Sequence, residues 1–214
     1  MHRTFSSSRL VRLLSDLAGV DIETPKQDVA ERLGGWLGVH DAMALHAAHQ
    51  AIQTVGEKNP SNEVLARPLA VEEEFHRVRT ALVKSIMASG SALEADAGYA
   101  PHQQRYLDQQ RQMALRIDAL RACVRQAITR VSPPLGQLAS FDTVMEQMFG
   151  GREKKLLSTV SGLLERRFEH LRKVQQQDAF GKELEEVLLA ELELRFQPVV
   201  GLIEAFSNEV KKQP

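Results

Sequence analysis

The chain has 214 residues and a formal net charge of −1, because 27 basic residues nearly balance 28 acidic ones. This balance excludes a globally basic nucleic-acid-binding protein, and the single cysteine excludes an intrachain disulfide and a cysteine-rich zinc site. No apolar run approaches the ~18 residues of a membrane span, and the first ten residues lack the apolar core of a signal peptide. We therefore expect a cytoplasmic protein without membrane insertion.

Residues 1–60 predict about three helices, which form a small N-terminal helical subdomain or a cap on the rest of the chain. Leucines at helical spacing run from Leu10 to Leu17, preceded by serines suited to an N-cap and followed by Gly19. A second helix opens at Thr24-Pro25, and a third runs from Asp41 to about Val55.

Residues 61–214 predict a separate domain, an antiparallel bundle of long helices. The apolar stripes and the glycine and proline breakers place its helices at Leu69–Ser89, Gln104–Val131, Phe141–Phe149, Arg152–Gln177 and Lys182–Val210. Gly150-Gly151 is predicted to be a hinge, and Gly181 is predicted to break the chain before the last helix. No segment alternates with period two, so the predicted fold class is all-α.

The helix at Gln104–Val131 carries a heptad seam, the pattern of a long helix packed along other helices in a coiled-coil manner. One set of seam residues recurs every seven positions, and a second set between them has Gln110 as its one polar member. The seam positions are Tyr106, Met113, Leu120 and Ala127, with Gln110, Ile117, Val124 and Val131.

Basic residues flank this seam and recur on the next long helix. The first cluster is Arg105, Arg111, Arg116, Arg121, Arg125 and Arg130, and the second is Arg166, Arg167, Arg172 and Lys173. One interpretation is that they cover the seam and pair with acidic neighbouring helices. The other is that they contact phosphates of a nucleic acid such as DNA, without sequence preference and with strong salt dependence. The sequence leaves both open.

Histidines in the segment 40–49 raise the question of a metal site. His46 and His49 share a helix face, beside His40 and Asp41, and a third ligand could come from His76 or His102. No HExxH or ExxH pattern accompanies them, so the favoured interpretation is a partly exposed helix face without a metal.

The remaining candidates for chemistry also favour structural roles. Glutamates between Glu183 and Glu193 could act as acid–base groups, but a solvated face that pairs with the preceding basic helix is the stronger interpretation. Cys123, beside the seam, is interpreted as a packed small side chain. Nucleotide-binding and nucleophile motifs are missing, so we predict no enzyme, no catalytic residue and no cofactor.

The segments TFSSSRLVRLLSDLA (residues 4–18) and TPKQDVAERLGGWLGVHDAMAL (residues 24–45) resemble the opening of a proteobacterial helical family of unknown function. The similarity extends over nearly the whole chain. That family resembles the one that supplies the cytosolic ZorF component of type III Zorya anti-phage defence systems. The resemblance implies that this protein acts together with a proton-driven membrane motor that has a long intracellular tail, and with a second cytosolic protein. It supplies no catalytic residues.

Together these features predict a non-enzymatic component of an anti-phage defence complex, an adaptor or sensor. Its expected partners are a second cytosolic defence protein and the membrane motor tail, and a homo-oligomer is left open. The alternatives are a non-specific nucleic-acid-binding protein that uses its basic helix faces, and an uncharacterised enzyme or metal-binding protein.

Overall fold

A computed structural model describes residues 8–19, 38–54, 68–88 and 98–212. Within these ranges the chain forms six α-helices and no strand, which confirms the all-α prediction. The helices are α1 (Arg9–Ala18), α2 (Val39–Thr54), α3 (Pro68–Ala88), α4 (Tyr99–Thr129), α5 (Pro133–Lys173) and α6 (Phe180–Val210), with a 3₁₀ turn at Gln177–Ala179. None of these described helices combines the length and apolar character of a membrane span.

Short connections set the direction of the last three helices. Only three residues separate Thr129 from Pro133, and a short segment with the 3₁₀ turn separates Lys173 from Phe180. Pro133 begins α5. Proline, which has no N–H, suits the first turn of a helix because an N–H at that position would have no intrahelical acceptor. Connections this short make consecutive helices antiparallel neighbours, as predicted.

Two predicted helix breaks are wrong. Gly150-Gly151 lies inside α5, which continues from Pro133 to Lys173, and Gly181 lies in the first turn of α6. A glycine in a helix costs about 1 kcal/mol relative to alanine but keeps its N–H donor, so a pair can be tolerated inside a long packed helix. The actual end of α5 follows Lys173, where Gln175 adopts a positive φ of 57°.

One further prediction is confirmed, and two others fall on residues outside the described part of the chain. α1 begins after Ser8, whose side chain accepts from Val11 N, and ends at Gly19 in the left-handed conformation, as its sequence predicts. The second predicted helix, which opens at Thr24, and the predicted domain boundary near residue 60 lie outside the described residues.

The chain divides into two compact units, which do not coincide with consecutive stretches of sequence. Unit one contains Met1–Ile22, Arg77–Asp118 and Lys155–Gln197, and unit two contains Glu23–His76, Ala119–Lys154 and Pro198–Pro214. Each unit has its own apolar core. The core of unit one includes Leu82, Ile86, Tyr106, Met113, Leu164, Phe168, Phe180, Leu184 and Leu188. The core of unit two includes Val71, Leu120, Val124, Ile128, Leu135, Val199 and Phe206.

The buried face of α4 departs from the predicted heptad toward its end. Tyr106, Ile117 and Ile128 are buried at spacings of eleven residues, while the predicted seam residue Ala127 is only half-buried. Eleven residues in three turns correspond to about 3.67 residues per turn, so this stripe does not wind in the left-handed sense of a heptad seam. Val131 lies past the helix end.

Candidate functional site

The basic residues of α4 in unit one do not form a common surface. Arg105 is buried, and its guanidinium donates to the carbonyl oxygen of Ile86 at 2.9 Å. Burial lowers the pKa of Arg105. Arg111 is exposed and donates to Asp108 on its own helix at 2.7 Å. Arg116 is exposed.

Two further arginines of α4, in unit two, form an ion cluster with α5. Arg121 binds Asp142 with two hydrogen bonds, from Nε at 2.8 Å and from Nη2 at 2.6 Å. Arg125 donates to Asp142 at 3.2 Å and to Glu146 at 2.8 Å. Both arginine side chains are largely buried, at 14% and 15% exposure. Burial lowers the pKa of Arg121, but the hydrogen bond and charge of Asp142 outweigh it, so the pKa is raised overall.

The residues of the second basic cluster also divide into one that pairs with another helix and others that pair within their own helix or are exposed. Arg167 forms a double hydrogen bond with Glu183 of α6, at 2.8 and 2.6 Å. That hydrogen bond raises the pKa of Arg167. Arg172 pairs with Glu169 on its own helix. Arg166 and Lys173 are exposed, as are Arg116 and, in unit two, Arg130.

The placement of these ten residues supports the structural interpretation for four of them. Arg105, Arg121, Arg125 and Arg167 join neighbouring helices through a carbonyl or a carboxylate, and each is buried or half-buried. The expectation that the basic helix pairs with the acidic one is met at Arg167–Glu183. Of the residues predicted to contact nucleic acid, those that remain exposed without a described partner are distributed over both units.

Unit one also contains a buried polar network that the sequence analysis missed. Glu191 has no exposed surface and accepts from Tyr106 Oη at 2.7 Å and from Gln110 Nε2 at 3.0 Å. Arg195 donates to the same carboxylate from Nε at 2.9 Å, and its Nη2 lies 2.8 Å from Glu191 Oε1 in an ion pair. Burial, followed by the charge of Glu191, raises the pKa of Tyr106 far above its usual value.

This network corrects the prediction of a solvated glutamate face at Glu191 only, since Glu186 and Glu193 are exposed and Glu183 and Glu185 are half-buried. A buried carboxylate needs a counter-charge and hydrogen bonds, and Arg195, Tyr106 and Gln110 supply both. The signal in the sequence was Gln110, the one polar member of the seam, which requires a polar partner when it is packed against a neighbouring helix.

A cluster of aromatic rings lies beside this network in unit one. His102 packs against Phe168 and Phe180 with ring centroids 5.5 and 5.1 Å away. Tyr99 contacts the same two rings and donates to the carbonyl oxygen of Ser161 at 2.6 Å. Burial raises the pKa of Tyr99. Burial lowers the pKa of His102, and the charge of Arg105 lowers it further.

We expect the stability of the protein to fall as the pH decreases below about 6.5, with His102 contributing to the slope. The folded-state pKa of His102 lies below the ordinary value of 6.5, so the unfolded chain takes up this proton first. The stabilisation is therefore present above pH 6.5 and is lost between 6.5 and the lower folded-state pKa. Urea unfolding at pH 7.5, 6.5 and 5.5 measures the slope.

His102→Leu should make the pH dependence shallower, because an uncharged side chain in this aromatic cluster takes up no proton. His170→Leu is the matched control, since His170 is exposed in the same unit. Equal slopes for the wild type and His102→Leu would contradict the assignment.

The other candidates for chemistry do not converge in the described part of the chain. No three His, Cys, Asp or Glu side chains there form a group that could hold a metal ion. His46 Nε2 lies 3.1 Å from Gln50 Nε2 on its own helix, and the side chain of His40 is outside the described set. Cys123 is exposed rather than packed, although the next residue, Val124, is buried.

A groove of about 510 Å³ lies between α4 and α5 in unit two, beside the ion cluster. Its hydroxyl groups donate to carbonyl oxygens of their own helices, Thr129 at 2.7 Å and Ser140 and Thr143 at 3.0 Å. Their oxygens remain available as acceptors. Arg125, Gln126 and Arg130 also line the groove, so it presents hydrogen-bond donors as well as acceptors to a ligand.

Comparison with protein families gives one match. A family model described as Protein of unknown function (DUF3348) matches residues 1–208. No curated protein and no solved structure matches the chain.

Proposed function

The chain belongs to the DUF3348 family, whose function is unknown, and we propose that it is a non-enzymatic helical adaptor that binds protein partners. The contacts made by its charged side chains support binding rather than catalysis. The most strongly held arginines and glutamates form contacts between helices, and Glu191 is completely buried. Groups engaged in this way hold a fold together and are not offered to a substrate.

The proposed setting is an anti-phage defence complex of the type III Zorya kind, with this protein in the place of the ZorF component. The resemblance of residues 4–18 and 24–45 supports this setting. In it, a second cytosolic defence protein and the tail of a proton-driven membrane motor would be the partners, and the site of action would be the cytoplasm.

Non-specific nucleic-acid binding is the second candidate. The observation in its favour is that Arg116, Arg130, Arg166 and Lys173 remain exposed. Weighing against it, the other six basic residues form contacts within the protein, four of them between helices. Phosphate contacts need free cationic heads, so the adaptor is the stronger proposal.

The experiment is a pull-down of the tagged full chain from its native host, with and without nuclease treatment, followed by mass spectrometry. We expect a membrane motor protein or a product of a neighbouring gene to be recovered in both conditions. The triple variant Arg116→Glu, Arg130→Glu and Arg166→Glu should retain these partners and phage protection, because adaptor binding does not need phosphate contacts.

The nucleic-acid candidate predicts the opposite result. Nuclease treatment would abolish the recovery of partner proteins. The triple variant would also lose the salt-sensitive mobility shift that the wild type gives with nucleic acid. The slope of log affinity against log salt would become shallower by about 0.9 for each phosphate contact removed. Charge reversal at Arg121 and Arg125 is not a suitable test, because it would break the ion cluster with Asp142. Partners recovered only through nucleic acid would overturn the adaptor proposal.

A further inference from the structure

Three polar pairs on α4 either contain or bind the buried polar residues in the described part of unit one. Those buried residues are Arg105, Gln109, Ser161 and Glu191. Each pair consists of two side chains four positions apart, which therefore share a helix face. The first, second and third pairs are Arg105 with Gln109, Tyr99 with Gln103, and Tyr106 with Gln110. The second and third pairs repeat one Tyr-x-x-x-Gln pattern along the helix.

The first pair binds α3. Arg105 donates to the carbonyl oxygen of Ile86 at 2.9 Å, and Gln109 Nε2 donates to Ser85 Oγ at 3.2 Å. The two acceptors are neighbours in sequence, so this pair holds one short stretch of α3 against its face of α4.

The second pair binds α5, and the third binds α6. Tyr99 Oη donates to the carbonyl oxygen of Ser161 at 2.6 Å, and Gln103 Nε2 donates to Ser161 Oγ at 3.2 Å. The third pair donates its hydroxyl and its amide to Glu191 in the same manner, at 2.7 and 3.0 Å. Ser161 on α5 and Glu191 on α6 are the buried polar residues of these two described helices. Each Tyr-x-x-x-Gln pair therefore binds the one buried polar residue that its neighbouring helix offers.

The apolar faces of α5 and α6 provide little to distinguish the two helices. Both faces bury leucine, valine and phenylalanine, from Leu157 to Leu171 on α5 and from Leu184 to Phe196 on α6. Hydrophobic burial is non-directional, and an antiparallel bundle can close with its helices in more than one arrangement unless an asymmetric feature prevents it. A packing that moved Glu191 away from α4 would leave the buried Tyr106 hydroxyl without its acceptor, which is costly.

We propose that the three polar pairs of α4 select one arrangement of α3, α5 and α6 around it. Buried polar contacts fix register and partner choice in coiled coils in the same way, at a cost in stability. The third pair should have the largest effect, because Tyr106 and Glu191 have no exposed surface whereas Gln103 is exposed. This inference does not depend on the proposed function.

The test replaces the third pair and its partners in the full chain with apolar side chains of similar size. Nitroxide labels at Lys84→Cys on α3 and Lys182→Cys on α6, both exposed positions of unit one, are introduced in a Cys123→Ser background. Pulsed electron paramagnetic resonance then measures the distance between the labels. We expect one narrow distance distribution in the labelled wild type and a second distance in the apolar variant, which remains helical. The apolar variant carries Tyr106→Phe, Gln110→Leu, Glu191→Leu and Arg195→Met.

Glu191→Gln combined with Arg195→Met is the matched control. It removes the same charges but keeps an acceptor for Tyr106 and Gln110, so it should show the single distance of the labelled wild type. A folded apolar variant that also keeps this single distance would overturn the proposal. A second distance in the control would overturn it too, because the effect would then belong to the lost charges.

The second pair provides a milder variant that decides the question if the apolar variant does not fold. Labels at Lys84→Cys and Arg166→Cys, again exposed positions of unit one, follow α5 in this case. A second distance supports the proposal, and a single unchanged distance contradicts it. The milder variant carries Tyr99→Phe, Gln103→Leu and Ser161→Ala.

Discussion

Arg195→Met should lower the free energy of unfolding by about 3–5 kcal/mol. The substitution removes the hydrogen bond and the ion pair that Arg195 forms with Glu191 and leaves that carboxylate fully buried without a counter-charge. Tyr106 and Gln110 still donate to it, but neutral donors compensate a buried charge only in part. Methionine keeps much of the volume of the arginine stem, so lost packing contributes little.

Urea unfolding followed by circular dichroism measures this loss. Arg116→Met is the matched control, because Arg116 is exposed on α4 in the same unit, and it should change stability by no more than about 0.5 kcal/mol. Glu191→Leu combined with Arg195→Met should lose less than Arg195→Met alone, since no charge remains buried. A loss in Arg195→Met as small as that of the control would show that the ion pair does not stabilise the core.

The fold was largely accessible from the sequence because helical periodicity is a local signal. The leucines of α1 with Ser8 and Gly19, and the prolines after Thr129, marked helix ends that the structure confirms. The errors arose where tertiary packing decides the outcome. Neighbouring helices can hold a glycine pair inside a helix, so Gly150-Gly151 did not interrupt α5.

The polar contacts were less accessible, because they depend on residues far apart in sequence. The charge blocks predict that the basic helix pairs with the acidic one, which is met at Arg167–Glu183, but they do not predict the partners of Arg121 and Arg125. The local sequence predicts Glu191 to be one of several surface glutamates, since its burial depends on Tyr106 and Gln110 of another helix. A polar residue inside an apolar seam is the local sign of such a network, and Gln110 is that residue.

Asp142→Ala should destabilise the protein by about 2–3 kcal/mol, between the values for an exposed and a fully buried ion pair. Asp142 accepts from Arg121 twice and from Arg125 once, and its side chain is only 11% exposed. Removing it leaves two largely buried guanidinium groups with Glu146 as their shared ion-pair partner. The cluster joins α4 to α5 within unit two, so the loss should also weaken that helical hairpin.

Asp108→Ala is the control for this substitution. It makes the same chemical change, the loss of an aspartate carboxylate, in the exposed pair with Arg111. Its expected effect is about 0.5 kcal/mol or less. A double-mutant cycle with Arg121→Met and Asp142→Ala, measured by urea unfolding, isolates the interaction between the two side chains. We expect a coupling of about 1–3 kcal/mol, because the pair is bidentate and shielded from solvent. Coupling near zero would mean that Arg121 contributes through the packing of its stem and not through its charge.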